Sequence, residues 1–318
     1  MRVLISGGFG FVGGRLAQHL HKAGHLITLG SRRACSPPDW LPEAEVVKLN
    51  WNDFGSLFNA SAGADLIIHS AGMNAQDCSA DPSEALAFNG VATARFVDAA
   101  CKARVKRFIY LSTAHVYGSP LTGTITEDTC PRNLHPYATS HLAGENVVLY
   151  ANSCKQIEGI VMRLSNVFGA PAHPSVNCWM LLIQDLCRQA VVTGRIVLNS
   201  SGLQLRDFIP MKRVCEIFQE LSTVDIAWSF DTPINLGSSN SVSVRFIAEL
   251  VQARCLYLLG RSPTIHIPPS ASIIKTLPFE FSTHKLAQLC LPSNIDMESE
   301  IDSLLRFCIR YFSRFSSG

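Results

Sequence analysis

Nothing limits the fold of this chain as tightly as the run RVLISGGFGFVGGRL near its start. Val3, Leu4 and Ile5 make a short apolar strand, GGRLAQHLHKAG (13–24) reads as an amphipathic helix, and glycines fill the turn between them. The same order recurs downstream. LITLGS (26–31), DLIIHSAG (65–72), RFIYLSTA (107–114) and GIVMRLSNVFG (159–169) read as strands. PSEALAFNGVATARFVDAACKAR (82–104) and YATSHLAGENVVLYANSC (137–154) read as helices. Strands separated by helices imply right-handed crossovers and a doubly wound parallel sheet covered on both faces, an α/β fold. Such sheets bind ligands beyond the carboxyl ends of their strands.

Past residue 170 the order loosens. CWMLLIQDLCRQA (178–190), VSVRFIAELVQARCLYLLG (242–260) and EIDSLLRFCIRYFSRF (300–315) read as helices. RIVLNS, LRDFIPM and PINLGS read as short strands, and PTIHIPP as an edge strand. Residues 1–169 are therefore expected to form a dinucleotide-binding domain, with returning segments near 203–238. Residues 170–318 are expected to form mainly a smaller α/β substrate-binding region.

Composition excludes several classes of function. Charged residues are 16% of the 318 and hydrophobic ones 47%, against roughly 25% charged in an average domain. A large interior or a buried subunit interface accounts for that. The net charge of +2 gives no reason to expect nucleic acid or an acidic membrane as partner. No apolar run nears the ~20 residues that span a bilayer. MRVLISGG reads as a strand, not a secretory signal, so a cytoplasmic protein is expected. Its 11 cysteines include no C-x-x-C pair and read as reduced, packing thiols. The 10 histidines lack ligand spacing, so no metal is expected.

Gly7, Gly10 and Gly13 form a G-x-x-G-x-x-G pattern that closes a strand and opens a helix. In that context glycines let the backbone approach a pyrophosphate, which sits on the helix N-terminus beside Phe11 and Val12. The acidic residue that holds an NAD ribose is absent. Gly30 occupies its expected place, followed by Ser31, Arg32 and Arg33. Arginines can grip a 2′-phosphate bidentately, so NADP is expected over NAD.

With YLSTAHVYG (110–118) and PYATSH (136–141) added, the chain resembles the extended short-chain dehydrogenase/reductase family, and within it the nucleotide-sugar epimerases, dehydratases and reductases. HSAG (69–72) is similar to that family's H-x-A-A. MRLSNVFG (162–169) resembles R-x-x-N-V-Y-G, RDFIPM (206–211) resembles R-D-F-I-H-V, and INLGS (234–238) matches N-x-G-S. The resemblance implies a catalytic Thr113, Tyr137 and position 141. It also implies cofactor contacts at Asn50, Ala71 and Asn89, and substrate contacts at Met73, Ala114, His115, Asn166 and Arg206 besides Thr113. A homodimer through the helices containing Asn89 and Tyr137 is implied too. Chemically, a ketone under reduction needs a proton donor and a second hydrogen bond to its oxygen, which Tyr137 and Thr113 can supply.

One position departs from the pattern. The family's lysine, four residues after the tyrosine, is His141 here. One helical turn places it beside Tyr137. A neutral imidazole can donate one hydrogen bond to a ribose hydroxyl, but with an ordinary pKa near 6.5 it carries little charge at neutral pH. Three readings stay open: His141 replaces the lysine, another cation fills the role, or the protein binds dinucleotide without turnover. Thr113 is followed by Ala114 and His115, not the Asp-Glu pair of 4,6-dehydratases. An NADPH-dependent reductase of a nucleotide-linked 4-keto-6-deoxy sugar is thus expected, with a nucleotide-sugar epimerase as alternative. A different carbonyl substrate would use an apolar pocket formed by Met73, Phe168 and Trp179.

Overall fold

Strand β1 (Arg2–Ser6) sets the two faces of the molecule, because successive side chains along a strand point to opposite sides. Val3 and Ile5 pack with Leu16, Ala17 and Leu20 of the helix Phe11–Lys22, and with Val214, Ile217 and Phe218 of the helix Met211–Thr223. Leu4 faces the other way, toward Phe96 of the helix Thr93–Lys102 and Val148 of the helix Pro136–Ser153. A computed structural model describes residues 1–224, 231–267, 277–288 and 295–313.

The strands continue in chain order as β2 (Leu26–Ser31), β3 (Glu45–Lys48), β4 (Leu66–His69), β5 (Arg107–Thr113), β6 (Gly123–Ile125) and β7 (Glu158–Leu164). Then come β8 (Asn166–Phe168), β9 (Arg195–Val197), β10 (Leu205–Pro210), β11 (Ile234–Leu236), β12 (Ser241–Ser243), β13 (Thr264–His266) and β14 (Phe279–Phe281). Seven of them form one parallel sheet in the order β11-β7-β5-β4-β1-β2-β3. The fold is α/β, a Rossmann-type doubly wound sheet, as the strand–helix alternation indicates. Every residue of β4 and β7 is buried, as strands covered on both faces should be. Strand order reverses between β1 and β4, which opens a crevice past Ser6 and His69.

The structure differs from the sequence reading in four places. Strand β3 and the helix Phe54–Ser61 were not anticipated; EVVK is short, half-buried and at the sheet edge. The helix expected over 82–104 is broken into Pro82–Ala85, a π-helical run Leu86–Ala92 and Thr93–Lys102. Of the described residues in the segment 203–238, only Ile234–Leu236 joins the main sheet. Leu205–Pro210 lies in a separate three-stranded sheet, β12-β10-β8. Finally, β6 and β14 pair with one another, a contact spanning about half the chain.

Three C-terminal helices, Leu182–Thr193, Val244–Leu259 and Met297–Phe312, enclose a second core containing Ile183, Leu186, Ile247, Val251, Ile301 and Leu304. Cys187, Cys255 and Cys308 are buried within it, small apolar packing residues as expected. Cys290 lies outside the described residues. Among the described residues no helix is long and apolar enough to cross a membrane.

Candidate active site

The glycine loop is built for close approach. Gly7 has φ +70, and a side chain there would strike the Ala71 backbone nitrogen at 2.8 Å. A Cβ at Gly13 would collide with the Gly7 carbonyl and lie 2.7 Å from Ser70 Oγ. Gly10 caps the helix Phe11–Lys22 and closes a turn to the Gly7 carbonyl at 2.8 Å. These positions leave a bare backbone at a helix N-terminus, which suits a pyrophosphate. Phe11 and Val12 open from that helix into a cavity of about 460 Å³ that also holds Thr113, His115, Tyr137, His141, Asn166 and Arg206.

A second cavity, about 420 Å³, lies beyond the end of β2 and is lined by Arg32, Asn50, Trp51, Glu84 and Phe88 among others. Arg32 and Asn50 therefore meet as expected. Arg33 does not join them; its backbone N–H instead donates to Ser31 Oγ at 3.1 Å. Nor is Gly30 the place from which a carboxylate would face a ribose. A Cβ there would point at the Leu49 side chain, 2.5 Å away, and at the Ser6 backbone. Ser31, half-buried, ends the strand with the polar side chain.

Thr113 ends β5 and Tyr137 begins the helix Pro136–Ser153, whose first turn is capped by His135 Nδ1 accepting from the Tyr137 N–H at 3.1 Å. Thr113 lies close enough to the Tyr137 phenol to act on its pKa, and its Oγ1 accepts from the His115 N–H at 3.2 Å. Burial raises the Tyr137 pKa; Thr113 partly offsets this, and Cys78 adds to the rise. Tyr137 thus keeps its proton at neutral pH.

His141 lies one turn on, edge-to-face with Tyr137 at 4.6 Å between ring centroids. It is 6% exposed, and burial lowers its pKa to about 4. Charge is therefore absent from this imidazole at neutral pH. Its Nε2 approaches Gly72, where an added Cβ would lie 3.5 Å away. Asn89 sits in the π-helical run, a frequent marker of functional sites. Its Oδ1 accepts from the Met73 N–H at 2.9 Å and its Nδ2 donates to Ser140 Oγ at 3.0 Å, so it ties the β4 exit to the Tyr137 helix.

Behind the site runs a buried polar chain. Arg163 forks onto Glu145, with bonds of 2.6, 3.0 and 3.1 Å, and lies 4.6 Å over the Tyr117 ring. Ser112, next to Thr113, donates to the same carboxylate. Tyr117 in turn donates to Asn235 Oδ1 at 2.7 Å. The pair is oriented from both sides and fixes the end of β5.

On the substrate side, Asn166 lines the cavity, and its Nδ2, which carries two hydrogens, donates one of them to the Asp207 carbonyl at 2.8 Å. Arg206 is exposed at the rim. His115 opens onto the same space, and loss of water around its ring, then the charges of Arg206 and His135, lower its pKa. Three expectations are not met as stated, those for Ala114, Met73 and Trp179. Ala114 is 2% exposed and packs with Val116 and Phe281 instead of lining the cavity. Met73 contributes its backbone N–H to Asn89, and Ala71 its backbone beside Gly7. Trp179 donates to the Pro174 carbonyl at 3.0 Å and packs on Phe307 and Phe312, so of the proposed apolar trio only Phe168 lines the cavity.

Sequence reasoning passed over Ser70, Asn74, Leu181, Gln184 and Phe208, all of which line the cavity. Ser70 lies within HSAG and Asn74 two residues beyond it, so both could have been found from that motif. Gln184 carried no signal; it enters from a helix far along the chain.

The comparisons agree with this geometry. Residues 3–221 match the model of the NAD dependent epimerase/dehydratase family. The dTDP-D-glucose 4,6-dehydratase of Bos taurus is 27% identical over 269 residues, 79% of this chain and 72% of that one. The dTDP-6-deoxy-L-talose 4-dehydrogenase (NAD(P)(+)) of Kitasatospora kifunensis is 26% identical over 265 residues, 79% of this chain and 78% of that one. In fold, the chain is similar to the UDP-glucuronic acid 4-epimerase from Bacillus cereus in complex with NAD. The TM-score is 0.79 at 18% identity, with 98% of this chain and 100% of that one covered. Taken with the glycine loop, Thr113 and Tyr137, the match over residues 3–221 shows that the chain belongs to the NAD-dependent epimerase/dehydratase family of enzymes.

Proposed function

We propose that the protein is an NADPH-dependent reductase of a nucleotide-linked keto sugar, of the 4-keto-6-deoxyhexose type. The observation that carries this reading is the pairing of Tyr137, protonated and close to Thr113, with a neutral His141 in one cavity beside the glycine loop. A reductase needs its tyrosine as an acid, and a tyrosine with no cation beside it stays protonated at neutral pH, available as a proton donor and not as a base. Bound in this cleft, the reduced nicotinamide supplies hydride to the carbonyl carbon. Tyr137 gives its proton to the carbonyl oxygen, and Thr113 donates a second hydrogen bond as charge develops there. His141 Nε2–H binds a ribose hydroxyl without adding charge. Gly7, Gly10 and Gly13 cradle the pyrophosphate, and Arg32 and Ser31 hold the 2′-phosphate.

Asn166 and Arg206 would hold the sugar's diphosphate, so residues 1–169 would carry the cofactor and 170–318 most of the substrate. The named relatives that act on dTDP- and UDP-sugars support that substrate class. Leu86 and Val91 on one helical run and Tyr150 on the other are exposed, and they support a homodimer joined there. An epimerase is the second reading, favoured by His115 as a further acid or base in the cavity. The test is NADPH oxidation with a panel of nucleotide-linked 4-keto sugars. Stoichiometric oxidation supports the reductase, whereas interconversion of sugar epimers without net oxidation supports the alternative.

A further inference from the structure

We propose that Tyr110 is a positioning residue of this site: its hydroxyl donates to His141 Nδ1 and so keeps the proton on Nε2, the nitrogen beside Gly72. The inference rests on reading this cleft as the dinucleotide site. A lysine has three donor hydrogens and needs no such help, but a neutral imidazole has one, on either nitrogen. Where that proton sits decides whether His141 can stand in for the lysine.

The geometry selects one arrangement. Tyr110 Oη lies 3.0 Å from His141 Nδ1, with the rings inclined at 35°. Tyr110 is 1% exposed and His141 6%, so bulk water does not compete. A phenol is a stronger donor than an imidazole N–H, and an imidazole nitrogen is a stronger acceptor than a phenol oxygen. The pair therefore settles as O–H···N. Burial raises the Tyr110 pKa well above its usual range, which keeps the hydroxyl proton in place.

Neighbouring groups support the assignment. Thr93 is a second polar side chain within reach of the phenol. It donates to the Asn89 carbonyl at 2.8 Å, so it meets His69 Nε2, 3.0 Å away, as an acceptor. His69 is thereby fixed with its proton on Nε2, and Ser6 Oγ, 2.6 Å from its Nδ1, is the donor there. Gly144, one turn beyond His141, makes room for the phenol; a Cβ at that position would lie 2.6 Å from Tyr110 Oη.

Tyr110→Phe keeps the ring and removes the hydroxyl. Nitrogen-15 NMR of the histidine-labelled protein should show His141 protonated on Nε2 in the wild type and a tautomer mixture in Tyr110→Phe. NADPH should bind about three- to tenfold more weakly to Tyr110→Phe, the range of one hydrogen bond. In a His141→Lys background the same change should alter affinity less than about twofold, because an ammonium has no tautomer to set. A wild-type His141 protonated on Nδ1, or an equal affinity loss in both backgrounds, would overturn the proposal. The spectrum needs neither substrate nor turnover, so its outcome is separate from that of the reductase reading.

Discussion

Replacing His141 with glutamine removes one of the buried imidazoles whose pKa is lowered in the folded protein, and a defined change in acid stability follows. The folded pKa of His141 is about 4 and that of His69 about 3, each lowered first by burial. Unfolded, both titrate near 6.5. The unfolded chain therefore binds protons first, and the stability contribution, complete above about pH 6.5, falls with pH until the folded pKa is reached. Between about pH 7.5 and pH 5 each histidine passes through about 1.5 units of that window, a loss of roughly 2 kcal/mol apiece. His25 and His115, also lowered, act in the same direction, while the raised carboxyls of Asp207 and Glu300 oppose it. Total stability thus mixes several groups, but the difference between wild type and His141→Gln isolates one. Urea unfolding at the two pH values should show the wild type losing about 2 kcal/mol more than the variant. Equal losses would refute a neutral, buried His141.

Tyr137→Phe should lower kcat on a keto-sugar substrate by about 10²–10⁴-fold with NADPH affinity little changed, read by stopped-flow oxidation and fluorescence titration. Arg32→Ala should weaken NADPH binding by about tenfold or more and leave NADH binding nearly intact, since only the phosphate contact is lost. Arg163→Leu leaves the Glu145 carboxylate buried at 0% exposure without its partner and should cost about 3–5 kcal/mol in chemical denaturation.

The main sheet was legible because buried parallel strands are continuous apolar runs bounded by glycines, as in LIIH and RFIYLST. Strand β3 was not, because EVVK is four residues long and only half-buried. The site divides in the same way. Gly7 sits in a local glycine pattern, and the family resemblance points to Thr113 and Tyr137 from short motifs; the structure brings those two into one cavity. The state of His141 was hidden, because its surroundings come from Tyr110 on β5 and His69 on β4, remote in sequence. Read alone, His141 would titrate near 6.5; enclosed, it titrates near 4. The place of Gly30 was misread for a related reason. Which side of β2 faces the ligand depends on its pairing with Ser6, not on its own sequence.

The claim that Tyr137 works as an acid beside an uncharged His141 is tested most directly by NADPH oxidation with nucleotide-linked 4-keto sugars. Wild type and His141→Lys would be compared at about pH 6 and pH 8, both above the His141 pKa of about 4 and below that of the buried tyrosine. The account predicts turnover by the wild type at a rate nearly the same at both pH values. Turnover confined to the lysine variant, or none by either protein with NADPH bound, would contradict it.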